Sequence, residues 1–167
     1  MKSKFFLTAL AAIFFYGCYE TKNIPAVTGF DLERYLGKWY EIYRLPNRFE
    51  QGMSKVSAEY MMTPDGVCKV INRGIRDGVE KSITGFVRFS GKKDTGELEV
   101  SFFRPFYGRY RIIKLAPDYR YSVVTSGSKD YLWILSRTPR LSADDWAEIT
   151  AFLKQNNFPV DKLIAGQ

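Results

Sequence analysis

Gly29-Phe30-Asp31-Leu32-Glu33-Arg34-Tyr35-Leu36-Gly37-Lys38-Trp39-Tyr40-Glu41 is the stretch around which the rest of the chain is organised. Asp31 suits an N-cap, because its carboxylate can accept a backbone N–H in the turn that follows. Gly37 can adopt the backbone angles that stop such a turn, and it lets another backbone approach closely. Trp39 then places a large apolar ring on one face of a strand. The expectation is a helical turn and an indole that together plug the end of whatever the later strands build.

A chain of 167 residues that is 46% hydrophobic and 16% aromatic is long enough for one domain with a real core and too apolar for disorder. Phe, Tyr, Val and Ile dominate its middle, which favours strands. The net charge of +7 is spread among apolar residues rather than clustered. That pattern suits a solvated strand face and not a nucleic-acid site, although attraction to an acidic membrane surface stays open. There is no histidine, so the commonest general base and the commonest metal ligand are both missing. Cys18 and Cys68 lack any zinc spacing. No catalytic residue, metal or cofactor is expected.

Met1 to Gly17 has basic residues Lys2 and Lys4, an apolar run from Phe5 to Tyr16, and a small residue at its end. The run is too short to span a bilayer and reads as a secretory signal peptide. Gly17-Cys18 resembles the lipobox of bacterial lipoproteins, although Phe15 and Tyr16 are bulkier than is usual there. The resemblance implies lipidation at Cys18, where several acyl chains would make a stable anchor. The alternative is a plain signal peptide, with Cys18 free or bonded to Cys68. Residues 18–28 read as a polar tether, and residues 29–167 as the folded domain.

Eight strand-like runs follow: Gly37–Leu45, Ser54–Met62, Val67–Arg76, Glu80–Phe89, Glu97–Arg104, Tyr107–Leu115, Arg120–Thr125 and Asp130–Arg137. Turn signals such as Thr63-Pro64-Asp65-Gly66 and Asp77-Gly78 separate them. Ser142 then caps a helix with Asp145 at its third position, and Trp146, Ile149, Phe152 and Leu153 form its apolar face. Val160–Ile164 reads as a last short strand.

Alternation along the strands sets Val56, Ala58 and Tyr60 against Lys55, Ser57 and Glu59, and Leu98, Val100 and Phe102 against Glu97, Glu99 and Ser101. A membrane barrel would be apolar outside and polar inside, so the charged faces here meet water. The fold class is all-β: an eight-stranded antiparallel up-and-down barrel, closed on itself, with one C-terminal helix packed outside.

Gly37-Lys38-Trp39-Tyr40-Glu41 resembles the first motif of the lipocalins, Pro117-Asp118-Tyr119 their second, and Ser136-Arg137-Thr138-Pro139 their third. Val100–Gly108 and Asp130–Pro139 are similar to bacterial outer-membrane lipoprotein lipocalins, relatives of apolipoprotein D. The resemblance implies that Gly37, Trp39, Asp118, Tyr119 and Arg137 are structural, with Arg137 lying across Trp39 at the closed end.

Alternation gives an interior, and a candidate ligand-binding set, of Tyr43, Leu45, Val56, Ala58, Tyr60, Val70, Asn72, Val87, Phe89, Leu98, Val100, Phe102, Ser122, Val124, Tyr131 and Trp133. Glu41 should also point inward and needs a hydrogen-bond partner there. Asn72 divides evenly between a structural bond and a head-group contact, and Cys68 is a buried small apolar residue. Arg104, Arg109 and Arg111 either meet an anionic head group or are simply solvated. Apolar walls with a few hydroxyls favour a ligand with a long hydrocarbon part. The resemblance points to fatty acids or lysophospholipids entering near Arg44–Met53, carried by a lipid-anchored protein on the periplasmic face of the outer membrane. Tyr19 is not the aspartate that commonly retains lipoproteins in the inner membrane. The rivals are a lipocalin-fold enzyme and a structural lipoprotein with a filled barrel. The oligomeric state, a dimer included, stays open.

Overall fold

The computed structural model describes residues 23–167; the expected signal peptide and Cys18 lie outside them. A one-turn helix α1 (Leu32–Tyr35) leads into strands β1 (Gly37–Arg44), β2 (Ser54–Met62), β3 (Cys68–Arg76), β4 (Val79–Phe89), β5 (Glu97–Phe103), β6 (Phe106–Leu115), β7 (Tyr121–Thr125) and β8 (Leu132–Ser136). Helix α2 (Ala143–Gln155) follows. Each strand pairs antiparallel with the next, and β1 pairs with both β2 and β8, so the eight strands close into a barrel. The expected final strand is instead a short 3-10 turn (Val160–Lys162) followed by β9 (Ile164–Ala165).

Two apolar clusters lie on opposite sides of the barrel wall. The interior one joins Phe30, Tyr35, Trp39, Tyr60, Val70, Val87, Leu98, Ile112 and Val124. The exterior one lies under α2, where Ile149 and Leu153 meet Ile113, Ala116, Tyr121, Val123, Leu132 and Ile134. β7 therefore buries both faces, in contrast to β4, whose outer face is wet. The helix starts as expected: Ser142 accepts a hydrogen bond from the Asp145 N–H at 3.0 Å. Arg120 ties it to the β6–β7 turn, donating to Asp145 at 2.7 Å and to Asp118 at 2.9 Å.

The structure corrects the sequence reading in β1. The β1–β8 register slips between Glu41 and Tyr43, so Glu41 opposes Leu135, Tyr43 opposes Ile134 and Arg44 opposes Trp133. This bulge adds one residue to one strand and flips the faces beyond it. Tyr43 and Leu45, expected inside, lie in the exterior cluster, where the Tyr43 ring sits 4.5 Å from that of Trp146. Arg44 takes the inward place. The expected tether also differs, because it is docked on the barrel from Ile24 onward. Ile24 is buried, and Val27 exchanges backbone hydrogen bonds with Ile112 and Gly96.

A second irregularity lies between Ser54 and Ser57 in β2, so β1 and β2 pair only over Gly37–Tyr40 and Ser57–Tyr60. Residues 164–167 fill the seam above. β9 pairs with Tyr43 and Arg44, the Gly166 N–H donates to Ile42 O, and the Val56 N–H donates to Gly166 O. The Gln167 amide donates to the carbonyls of Glu41 and Val56. A methyl group on Gly166 would stand 2.5 Å from Glu41 O and 2.6 Å from its Oε1. Gly166→Ala is therefore expected to expel this segment and lose several hydrogen bonds worth about 1 kcal/mol each. Hydrogen exchange at the Val56 amide is the measurement, and unchanged protection there would refute the seam role.

Candidate ligand-binding site

The floor of the barrel is built by the opening stretch. Asp31 accepts the Glu33 N–H at 2.9 Å and starts α1, and Gly37 leaves the turn at φ +90°. Trp39 is fully buried and donates its indole N–H to Tyr35 O at 2.8 Å. The Arg137 guanidinium lies 3.9 Å from the centre of the indole and donates to the carbonyls of Arg34, Leu36 and Lys38. Tyr119 closes the other side: its hydroxyl accepts the Asp31 N–H at 2.8 Å, and Arg34 covers its ring.

Above this lid the Tyr35 hydroxyl meets those of Tyr110 at 2.8 Å and Ser122 at 3.0 Å, and Tyr60 donates to Tyr110 at 2.8 Å. Burial pushes the Tyr35 phenol up to about 12, and the Tyr60 and Tyr110 phenols well above their ordinary value. The floor is therefore a neutral knot of hydroxyls that satisfy one another. Cys68, also buried and reduced, has its thiol pushed up to about 11 by burial and is inert as a nucleophile.

The walls rise from that floor. Ala58, Val70, Val87, Phe89, Leu98, Val100, Phe102, Val124 and Trp133 all belong to the interior cluster. Asn72 opposes Ala58 and Ile83 on the same face, and Tyr131 stacks on Trp133 at 6.1 Å. Val56 packs against the inner side of Gly74, which Met53 also covers. The inward residues of β6, Tyr110 and Ile112, were missed, although their alternation is visible in the sequence.

A polar knot at the mouth was legible only in its first member. Glu41 points inward as expected, and its partner is Arg44, 2.6 Å away, with both side chains 3% exposed. Arg44 also donates to the backbone carbonyls of Glu50 and Met53, pinning the 45–53 loop across the opening. Glu50 Oε2 accepts from Trp133 at 2.9 Å and from Asn47 at 2.6 Å, and stands 3.9 Å from Arg44 Nε. Two carboxyl groups thus share one guanidinium. Burial, then the neighbouring Glu50, pushes the Glu41 carboxyl up to about 8, against the pull of Arg44.

A closed floor, apolar inward walls and a loop-bridged mouth agree with what sequence comparison finds. The family described as a lipocalin-like domain matches residues 30–167. The chain belongs to the lipocalins. It is 44% identical over 145 residues to outer membrane lipoprotein Blc of Citrobacter freundii, spanning 86% of this chain and 82% of that protein. The Vibrio cholerae protein of the same name is 38% identical over 159 residues, covering 93% of both chains. Apolipoprotein D of Rattus norvegicus is 32% identical, over 83% of this chain and 77% of that one. Among solved structures, insecticyanin from the tobacco hornworm Manduca sexta superposes with a TM-score of 0.72 at 20% identity, covering 86% and 84% of the two chains. Within this lipocalin the three ordered motifs sit at the closed end: Gly37 and Trp39, Asp118 and Tyr119, and Arg137.

Proposed function

We propose that this lipocalin carries or stores single-chain lipids, fatty acids or lysophospholipids, for the cell envelope. In this reading Cys18 anchors it to the periplasmic face of the outer membrane. The observation that carries the binding reading is the apolar interior of the barrel. It is sealed below by Trp39 and Arg137, walled by apolar side chains, and floored by hydroxyls that already satisfy each other. Such a cup offers little to a polar solute, whereas each methylene buried in it gains about 0.8 kcal/mol. Glu41, an inward carboxyl of the mouth knot, is bound to Arg44, which supports a binding role over a catalytic one. The membrane placement is supported by the names of the Citrobacter and Vibrio relatives and by the signal that ends just before Cys18.

Mass spectrometry of lipids extracted from the natively purified protein tests this directly, together with displacement of a fluorescent fatty acid. Recovering no lipid and seeing no displacement would defeat carriage. Val100 offers a sharper probe, because it faces inward between Val87 and Gly108 on the adjacent strands. Val100→Trp is expected to occupy the space of two or more methylenes and weaken fatty-acid binding by about tenfold or more. Undiminished affinity in that variant would move the ligand out of the cup. Cys18→Ser should abolish acylation, read by intact mass and by the membrane fraction.

A further inference from the structure

We propose that the rim of the open end is a docking face for an anionic phospholipid surface, so that the mouth is seated on the membrane rather than held above it. The up-and-down order puts the β1–β2, β3–β4, β5–β6 and β7–β8 turns at one end of the barrel and the other turns at the closed end. Large apolar side chains exposed among the described residues divide unevenly between the two ends. Phe49 (53% exposed), Val79 (52%), Phe103 (64%) and Phe106 (69%) sit on three of the four mouth turns. The other two, Ile83 and Ile164, lie on the mouth half of the wall, and the closed end has none. A water-facing rim would gain nothing from phenylalanine, whereas aromatic and aliphatic side chains at loop tips suit the boundary between head groups and acyl chains.

The charge around them narrows the occupant. The mouth segments 46–55, 76–81, 103–109 and 126–131 hold seven basic side chains against four acidic ones. One of the four, Glu50, is turned inward to Trp133. Arg76 donates to Phe49 O and binds two of the turns together. A second copy meeting this rim face to face would set like charges against each other, but a phosphate-bearing surface would not. The chain path permits the contact. Arg111 on β6 holds the carbonyl of Ile24 at 3.0 Å. Six residues from Cys18 to Ile24 reach at most about 20 Å, and the five from Arg111 to Phe106 span about 17 Å. An anchor at Cys18 and the rim can therefore touch one surface together. The inference rests on the proposed function in taking this end as the place where lipid passes and Cys18 as the anchor.

The test uses the full chain reconstituted in phosphatidylethanolamine–phosphatidylglycerol vesicles, with a nitroxide placed through Phe106→Cys or, as a control, Asp65→Cys in the β2–β3 turn. Buried Cys68 should escape labelling. At residue 106 the label is expected to gain oxygen accessibility and lose accessibility to a water-soluble nickel chelate, and at residue 65 to stay in water. In pure phosphatidylcholine the shift at 106 should shrink severalfold. Water-like accessibility at 106 in the anionic vesicles would overturn the proposal, as would spin–spin broadening at 106 showing that a second copy covers the rim. Phe49→Ser with Phe103→Ser, which leave the interior cluster intact, should reproduce the loss of immersion at 106. Fatty-acid displacement on the same sample separates the two readings: immersion without displacement supports the docking face and sinks carriage.

Discussion

Trp39→Ala should destabilise the protein by about 3–5 kcal/mol, the usual cost of emptying a fully buried aromatic site. Three losses combine. The cavity opens where Tyr35 and Trp39 pack with ring centres 4.6 Å apart. The indole N–H bond to Tyr35 O disappears. Arg137 loses the ring it covers, though it keeps its carbonyl partners in the α1–β1 turn. The site is shut away from the cup by the hydroxyl knot of Tyr35, Tyr60 and Tyr110, so the folded fraction of the variant should keep its fatty-acid affinity within about threefold. Urea unfolding measures the first claim and fluorescent fatty-acid binding the second. A tenfold loss of affinity at unchanged stability would make Trp39 part of the ligand site and reverse the assignment.

How much of this was readable beforehand follows from where local pattern governs the backbone. Trp39, Gly37 and Arg137 were legible because three motifs in order point to a single closed end. β2 and β3 were legible because Ala58, Tyr60 and Val70 alternate without interruption. Tyr43 and Leu45 were misplaced because alternation carries no mark of a bulge, and one added residue between Glu41 and Tyr43 reverses every side chain beyond it. Arg44 and Glu50 escaped for a related reason. A charged residue on a strand or in a loop reads as solvent-facing, and only the three-dimensional meeting of Arg44, Glu41, Glu50 and Trp133 lets the charge be buried. The seam filled by Gly166 and Gln167 left no signal beyond a glycine, because its hydrogen bonds go to backbone atoms of Glu41, Ile42 and Val56.

Arg44→Leu is expected to cost about 3–5 kcal/mol at neutral pH, because it removes the cation beside Glu50, the donor to buried Glu41 and the two bonds that hold the 45–53 loop. The same knot sets a pH dependence of definite sign. Burial first, and then the neighbouring Glu50 beside a single guanidinium, keep the proton on Glu41 up to about pH 8 instead of its ordinary 4.5. The folded state then binds a proton that the unfolded chain has released. The contribution is complete below about pH 4.5 and is lost as pH rises through about 8, at up to about 1.4 kcal/mol per unit. Unfolding free energy should therefore fall by a few kcal/mol between pH 5 and pH 9, and Glu41→Gln, which keeps an acceptor for Arg44, should flatten that slope. The 45–53 loop hangs on this knot through the Glu50 and Met53 carbonyls, so its amides should exchange faster at pH 9 once intrinsic rates are corrected. Stability that rises from pH 5 to 8 would mean instead that Arg44 wins and both carboxylates are ionised. In that case the mouth loop would be clamped by a permanent ion triad, and proton release could not loosen it.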